Sequence, residues 1–265
     1  MTALALDIDT VLDGLDRMAS QRPVAARIVA TSNSDRTSAV GLANALGADV
    51  ALAAKVMKLA NSAYFGLSGK VTSLQFAVTV VGFNSVRSIA TIALANLDDE
   101  RLLPQGFGEL SLHLAAAAGS LGPRFGTRTA DGMALGLLAP LGMALLHQTD
   151  RHGYDQLVAA TELGSQRFAA ESIRYGICSP QLSGEALNQW HFPADMVDAL
   201  RAVASGPEGA LLRTSYELTA RLVEPHHKKR ALERLSDQRI TETEASARLT
   251  AIRTDVRELR SALGL

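Results

Sequence analysis

Apolar residues recur at spacings of three and four along most of this 265-residue chain, and strictly alternating apolar and polar runs are scarce. An early example is the series Ile8, Leu12, Leu15 and Ala19. This spacing puts apolar side chains on one face of an α-helix, whereas a half-buried strand needs a period of two. The pattern therefore predicts an all-α fold in which short helices pack as a multi-helix bundle.

Capping residues and helix breakers set the limits of these helices. Ser, Thr, Asp and Asn accept hydrogen bonds from the free amides of a helix start, and proline suits the first helical position. The starts predicted in this way are Pro23, Thr37 or Ser38, Asp49, Ser73, and Asn84 or Ser85. Later helices are predicted over residues 109–122, 129–146, 154–163, 165–175, 181–190, 194–204 and 208–223.

Two changes in composition divide the chain into three predicted segments. Residues 101–108 contain one proline and two glycines, which interrupt helical periodicity. Pro225 is followed by a run of histidine and basic residues. The sequence thus predicts an N-terminal helical subdomain over 1–105, a second helical subdomain over 106–224 and a charged C-terminal segment over 225–265.

The C-terminal segment is predicted to form a helical hairpin or short coiled coil. Thr241 and Glu244 fit a capping box at the start of its second helix. Apolar residues then alternate spacings of four and three, as on a coiled-coil seam. The period leaves open whether this seam docks on the protein's own body or on another chain, such as a second copy in a homodimer. Its candidate contacts are Leu249, Ile252, Val256 and Leu259.

Composition limits the compartment and the partners. The single cysteine, Cys178, excludes an internal disulfide framework and a CxxC zinc site, and suits a reducing cytoplasm. The N-terminus lacks the basic and apolar regions of a secretory signal. The apolar run 133–146 is interrupted by glycine and proline, so it is expected in the core rather than across a membrane. A net charge of −1 gives no overall field for nucleic acid.

The string LAAKVMKLANSAYFG over residues 52–66, followed by VTSL and VGF, resembles the N-terminal signature of HDOD domains. The resemblance extends over residues 10–205, and QWHFP at 189–193 is similar to a later W-x-x-P element of the family. It implies a helical, HD-related output domain in which 106–224 is the HD-like subdomain. The signature residues are Asn61, Ser62, Ala63, Tyr64, Phe65, Gly66, Gly82, Trp190 and Pro193.

The same resemblance indicates that a metal centre has been lost. An active HD phosphohydrolase needs several His and Asp ligands that converge on a divalent metal, which activates water. The resemblance puts Ala139 and Pro140 in place of the metal-binding dyad and Ser179 at a downstream ligand position, and only His113 remains. The expectation is therefore a pseudoenzyme without metal or cofactor.

Other candidate site residues have simpler interpretations. Asn61 at a helix end is expected to bond backbone groups, and Phe65 to enter the core, while Tyr64 is open between core and surface. The string that contains His147, Asp150 and His152 superficially resembles a metal cluster, but it crosses a predicted helix end.

The leading hypothesis is a non-catalytic HDOD-type regulatory protein of bacterial signal transduction, which contacts an unidentified signalling protein in the cytoplasm. A second is a binding module for a nucleotide second messenger or nucleic acid, with Lys55, Lys58 and Arg87 as candidate contacts, although these residues also fit ordinary surface charges. A third is a residual metal-dependent phosphohydrolase. No membrane association is predicted.

Overall fold

The computed structural model describes residues 6–8, 10–12, 23–32, 38–95 and 103–263. Within these ranges the chain forms α-helices, two 3-10 turns and no strand, which confirms the predicted all-α class. Most of the helix predicted around residues 8–19 lies outside the described residues.

Side-chain caps start three of the N-terminal helices as predicted, whereas the helix predicted to start at Asn84 or Ser85 begins at Phe83 without a side-chain cap. The Ser38 side chain accepts a hydrogen bond from the Gly41 amide, Asp49 accepts from two amides, and Ser73 accepts from the Phe76 amide. Thr37, the alternative cap, lies outside the described ranges. The helices are α1 (Pro23–Ser32), α2 (Ala39–Leu46), α3 (Val50–Ala60), α4 (Leu74–Val81) and α5 (Phe83–Leu94).

The second segment contains eight helices within the described residues. They are α6 (Phe107–Leu121), α7 (Thr129–Leu138), α8 (Leu141–Thr149), α9 (Arg151–Ala160), α10 (Ser165–Tyr175), α11 (Ser179–Gln189), α12 (Ala194–Arg201) and α13 (Ala210–Val223). The prediction of a single helix over 129–146 was wrong. A turn at Ala139 and Pro140 separates α7 from α8, because proline has no N–H to donate and its ring clashes with the preceding turn.

The C-terminal segment consists of a one-turn helix, α14 (Leu232–Leu235), a turn and a long helix, α15 (Glu242–Leu263). The predicted capping box is confirmed. The Thr241 amide donates to Glu244 Oε2 at 3.1 Å, and the Glu244 amide donates to Thr241 Oγ1 at 3.3 Å.

Helix α15 packs along the body of the protein, against α6 in the second segment and α3 in the first. Ile252, Val256 and Leu259 are buried there, and Leu249 is partly buried against the same core. Of the two alternatives that the period left open, these residues dock on the protein's own body. The period of a helix reports that it has an apolar face, but not which surface covers that face.

Polar contacts fix α15 along its length. Arg260 forms an ion pair with Glu109, and Arg248 donates to the Ser120 carbonyl at 2.7 Å. A third pair joins Arg124 to Glu244.

One hydrophobic core joins the three predicted segments. It contains Leu59 of α3, Leu114 of α6, Leu212 of α13 and Ile252 of α15. Helix α6 lies at its centre and contacts α7, α13 and α15. The segment boundaries stay predictions, since a shared core does not locate them.

Residues 129–149 pass a length and hydropathy test for a membrane-spanning helix. However, 83% of the most apolar window of this stretch is buried inside the fold, as the sequence predicted for a core segment. Helices α4 and α5 pass the same test only as a pair, and they are bent by 101°.

Candidate functional site

The signature segment after α3 is organised by the Asn61 side chain. Its Oδ1 accepts from the Val71 amide at 3.0 Å, and its Nδ2 donates to the Val71 carbonyl at 2.8 Å and to the Met57 carbonyl at 3.2 Å. The side-chain amide of Asn61 thus forms two hydrogen bonds with the backbone of Val71, ten residues away, as the backbone of a neighbouring β-strand would. Gly66 takes a left-handed conformation, with φ of 69°, and lets the chain turn between the two.

Replacing Asn61 with Leu is expected to lower the free energy of unfolding by about 1–3 kcal/mol, because the buried backbone groups of Val71 lose their partners. Chemical denaturation followed by circular dichroism measures this loss. Substitution of exposed Ser68 by Ala in the same segment is the control and should have little effect. Unchanged stability of the Asn61 variant, together with loss of a bound ligand, would assign Asn61 to recognition instead.

The two aromatic residues of the signature segment both face inward. Phe65 packs against the core, as expected, and contacts the Tyr64 ring edge-on at 5.2 Å between centroids. The Tyr64 hydroxyl is buried against Gly119 of α6, where a β-carbon would overlap it. Burial raises the pKa of Tyr64 well above its usual value, with a smaller contribution from Asp255. Tyr64 therefore helps join the first segment to α6.

Arg87 is a core residue, which corrects its proposed role as a ligand contact or surface charge. Its side chain is 2% exposed, its Nη2 donates to the Trp190 carbonyl at 2.7 Å, and its guanidinium carbon lies 3.7 Å from the centre of the Phe192 ring. Burial lowers the pKa of Arg87 to about 10, so the group stays charged at neutral pH. Of the other two candidates, Lys58 is exposed and Lys55 is half-buried on α3.

The contact of Arg87 explains how two distant parts of the signature meet. Gly82, with φ of 81°, starts the helix that carries Arg87. Trp190 ends α11, and Pro193 precedes α12. Arg87 therefore joins α5 to the turn between α11 and α12, a link of 103 residues in sequence.

Close helix packing surrounds Ala139 and Pro140, the position that the resemblance gives to the metal dyad. Ala139 and Pro140 are buried, and the Ser183 hydroxyl donates to the Ala139 carbonyl at 2.8 Å and accepts from the Gly142 amide at 2.7 Å. A β-carbon at Gly142 would overlap the Ser179 carbonyl. The backbone of α8 thus lies directly on α11, and this contact brings no metal-binding side chain to the position.

His113 does not converge with other metal-binding groups. Its Nδ1 lies 2.7 Å from the Glu109 carbonyl and 3.9 Å from the Glu109 carboxylate, one turn earlier on the same helix. Among the described residues, no group of three or more His, Cys, Asp or Glu side chains could hold a metal ion. The residues present therefore do not fit the metal that an HD centre would require.

The side chains of His147, Asp150 and His152 do not form a cluster, because each contacts a different partner. His147 is buried and faces Asp155 at 3.2 Å, while Asp150 caps α9 and binds Arg174 at 2.7 Å. His152 is exposed and pairs with Gln156. The arrangement is helix capping and ion pairing.

Comparison with protein families tests the resemblance of the signature segment to HDOD domains. The HDOD domain profile matches residues 18–205, more than two thirds of the chain. This chain belongs to the HDOD family.

Solved structures with the same fold extend over almost the whole HDOD chain. A candidate phosphohydrolase from Shewanella amazonensis is 19% identical, with a TM-score of 0.69 over 96% of this chain and 97% of its own. A Geobacter sulfurreducens HDOD domain protein of unknown function is 18% identical, with a TM-score of 0.61 over 96% and 99%. At these identities the likeness shows the fold.

A longer relative is an uncharacterised protein from Treponema pallidum (strain Nichols). It is 25% identical over 213 residues, which are 76% of this chain and 39% of that protein. The HDOD chain thus spans about two fifths of this relative.

A buried polar cluster between α9, α10 and α11 was missed by the sequence reasoning. Glu171 is fully buried, with one carboxylate oxygen 2.7 Å from the Tyr154 hydroxyl and the other 2.7 Å from the Ser179 amide. Burial raises the pKa of Glu171, and these hydrogen bonds oppose that shift. Glu171 lies three residues after Phe168 and four before Tyr175, and this helical spacing puts it on the buried face of α10.

Cys178 is a buried free cysteine in the core. The thiol is buried, and burial raises its pKa to about 11. The thiol is therefore neutral at physiological pH, and a neutral thiol is a poor nucleophile.

Proposed function

We propose that this HDOD chain is a non-catalytic regulatory protein that acts in bacterial signal transduction by contacting another protein. The absence of catalysis is inferred from the degenerate centre. There the dyad position holds Ala139 and Pro140, the downstream position holds Ser179, and His113 faces its own helix turn. One imidazole cannot supply the ligand set of a hydrolytic metal site.

Protein contact is supported by exposed apolar side chains on the first segment. Val40 of α2, Val50 of α3 and Phe76 of α4 are all exposed, and these three helices pack against one another. Apolar groups exposed on neighbouring helices are a candidate protein-binding surface, since contiguous apolar patches are typical of such surfaces. The nucleotide or nucleic-acid alternative loses one of its three candidate contacts, because Arg87 is buried.

The purified protein is expected to hold no stoichiometric divalent metal and to leave cyclic dinucleotides and nucleoside polyphosphates intact. Elemental analysis and turnover assays with added Mg²⁺, Mn²⁺ or Zn²⁺ check this expectation. The His113→Ala variant is the control, since any turnover that it retains does not come from the HD position. Stoichiometric metal together with turnover that His113→Ala abolishes would establish a residual phosphohydrolase.

Partner contact is tested by affinity capture from the native organism with mass spectrometry. The triple variant Val40→Ser, Val50→Ser, Phe76→Ser is expected to lose a protein that the unaltered chain captures. Ile173→Ser is the matched control, because Ile173 is equally apolar and exposed but lies on α10. Equal capture by the unaltered chain, the triple variant and Ile173→Ser contradicts this contact surface. Recovery of nucleotide or nucleic acid alone favours the binding-module alternative.

A further inference from the structure

A cavity of about 260 Å³ lies between α10, α13 and the C-terminal segment, separate from the exposed surface described above. Its apolar wall includes Leu163, Phe168, Val203 and Leu235. The rings of Phe168 and Tyr216 meet edge-on, with 5.0 Å between their centroids, and form an aromatic part of the cavity lining. A cavity lined in this way can hold the apolar part of a small ligand.

The polar groups of the cavity include two without a protein partner. Tyr216 is 1% exposed, and its buried hydroxyl forms no hydrogen bond within the described part of the chain. The Arg230 guanidinium, which lies beside Gly164, likewise has no hydrogen bond or ion pair to the described residues. An unsatisfied buried hydroxyl is costly unless a ligand or water completes it.

The remaining charges of the cavity are already paired. Glu217 accepts from Arg221 Nε at 2.7 Å and from the Arg230 amide at 3.0 Å, and its other oxygen lies 2.9 Å from His227 Nε2. Arg213 donates to the Gly206 carbonyl at 2.7 Å and lies 3.7 Å from Asp237. Arg230 therefore gives the cavity an excess of positive charge.

We propose that this cavity binds a small organic anion, a monocarboxylate with a single ring or a short chain, as a regulatory ligand. The carboxylate pairs with Arg230 and accepts a hydrogen bond from Tyr216, and the apolar body contacts Phe168. The volume of about 260 Å³ lies below the range of about 300–1,000 Å³ that holds drug-sized ligands, which favours a ligand smaller than a cyclic dinucleotide. The inference goes beyond the proposed function, and it does not depend on the metal centre, since neither Ala139 nor Ser179 lines the cavity.

Fluorine NMR titration of the full chain with para-fluorobenzoate and with neutral para-fluorobenzamide tests the proposal. Benzoate is expected to bind saturably and roughly tenfold more tightly than the amide, a difference of about 1.4 kcal/mol. Arg230→Met should remove that preference while thermal unfolding stays unchanged. Arg234→Met is the matched control, since Arg234 is exposed on the same segment and does not line the cavity.

The Tyr216→Phe variant separates cavity binding from charge attraction at the surface. It is expected to weaken benzoate binding several-fold without lowering thermal stability, because it removes a hydroxyl that has no protein partner. Absence of saturable benzoate binding to the folded chain overturns the proposal. The same conclusion follows if Arg230→Met or Tyr216→Phe binds benzoate as tightly as the unaltered protein. Neither outcome bears on the hydrolysis assays.

Discussion

Truncation of Ile252 to Ala is expected to lower the free energy of unfolding by about 2–5 kcal/mol, the usual cost of a cavity at a fully buried site. Ile252→Asp is expected to cost more, because a carboxylate must then enter the core or α15 must detach. Urea unfolding followed by circular dichroism measures both losses. These effects arise because α15 completes the core that α6 and α3 share.

The matched control is Arg253→Ala, the neighbouring exposed residue of the same helix, for which a change within about 0.5 kcal/mol is expected. A chain that ends at Glu224 should lose cooperative unfolding, because the apolar surface of α6 and α3 that α15 covers would be exposed. If Ile252→Asp instead leaves stability unchanged and abolishes self-association, the seam faces another chain in solution.

Replacing Arg87 with Ala is expected to lower the free energy of unfolding by about 3 kcal/mol, since a charged hydrogen bond and a buried cation–π contact are lost together. The single tryptophan, Trp190, reports the local change, because Arg87 bonds its carbonyl and stacks on nearby Phe192. Fluorescence of the folded variant should therefore shift along with its unfolding midpoint.

Two further variants test the cause of the Arg87 effect. Arg87→Lys should restore little stability, because an ammonium lacks the planar face that lies over Phe192. Lys58→Ala, at an exposed helix position of the same subdomain, should be nearly neutral. A loss at Lys58 as large as that at Arg87 would contradict the assignment of Arg87 as a specific link between α5 and the α11–α12 turn.

The structure gives a physical role to residues that the resemblance only identified. Asn61 holds the chain after α3 by pairing with Val71, and Trp190 offers its carbonyl to Arg87. Ser183 and Gly142, which the resemblance did not identify, let α8 and α11 meet beside Ala139. The signature therefore specifies the architecture of the domain in this chain.

The sequence by itself determined most of the helices and the side-chain caps that begin several of them. The caps at Ser38, Asp49, Ser73 and Thr241 were predictable, because each bonds an amide within three residues in sequence. The lack of coordinating side chains at Ala139 and Pro140 was equally plain, since neither residue can bind a metal whatever the fold.

Only the tertiary structure decided which faces meet. Arg87 looked like a surface cation, and its partners Trp190 and Phe192 lie more than a hundred residues away. The same holds for Glu171, which is buried by helices from elsewhere in the chain, and for the seam of α15, which the body covers. Periodicity records how a helix is divided between apolar and polar faces, whereas burial and partner choice depend on contacts between segments that are distant in sequence.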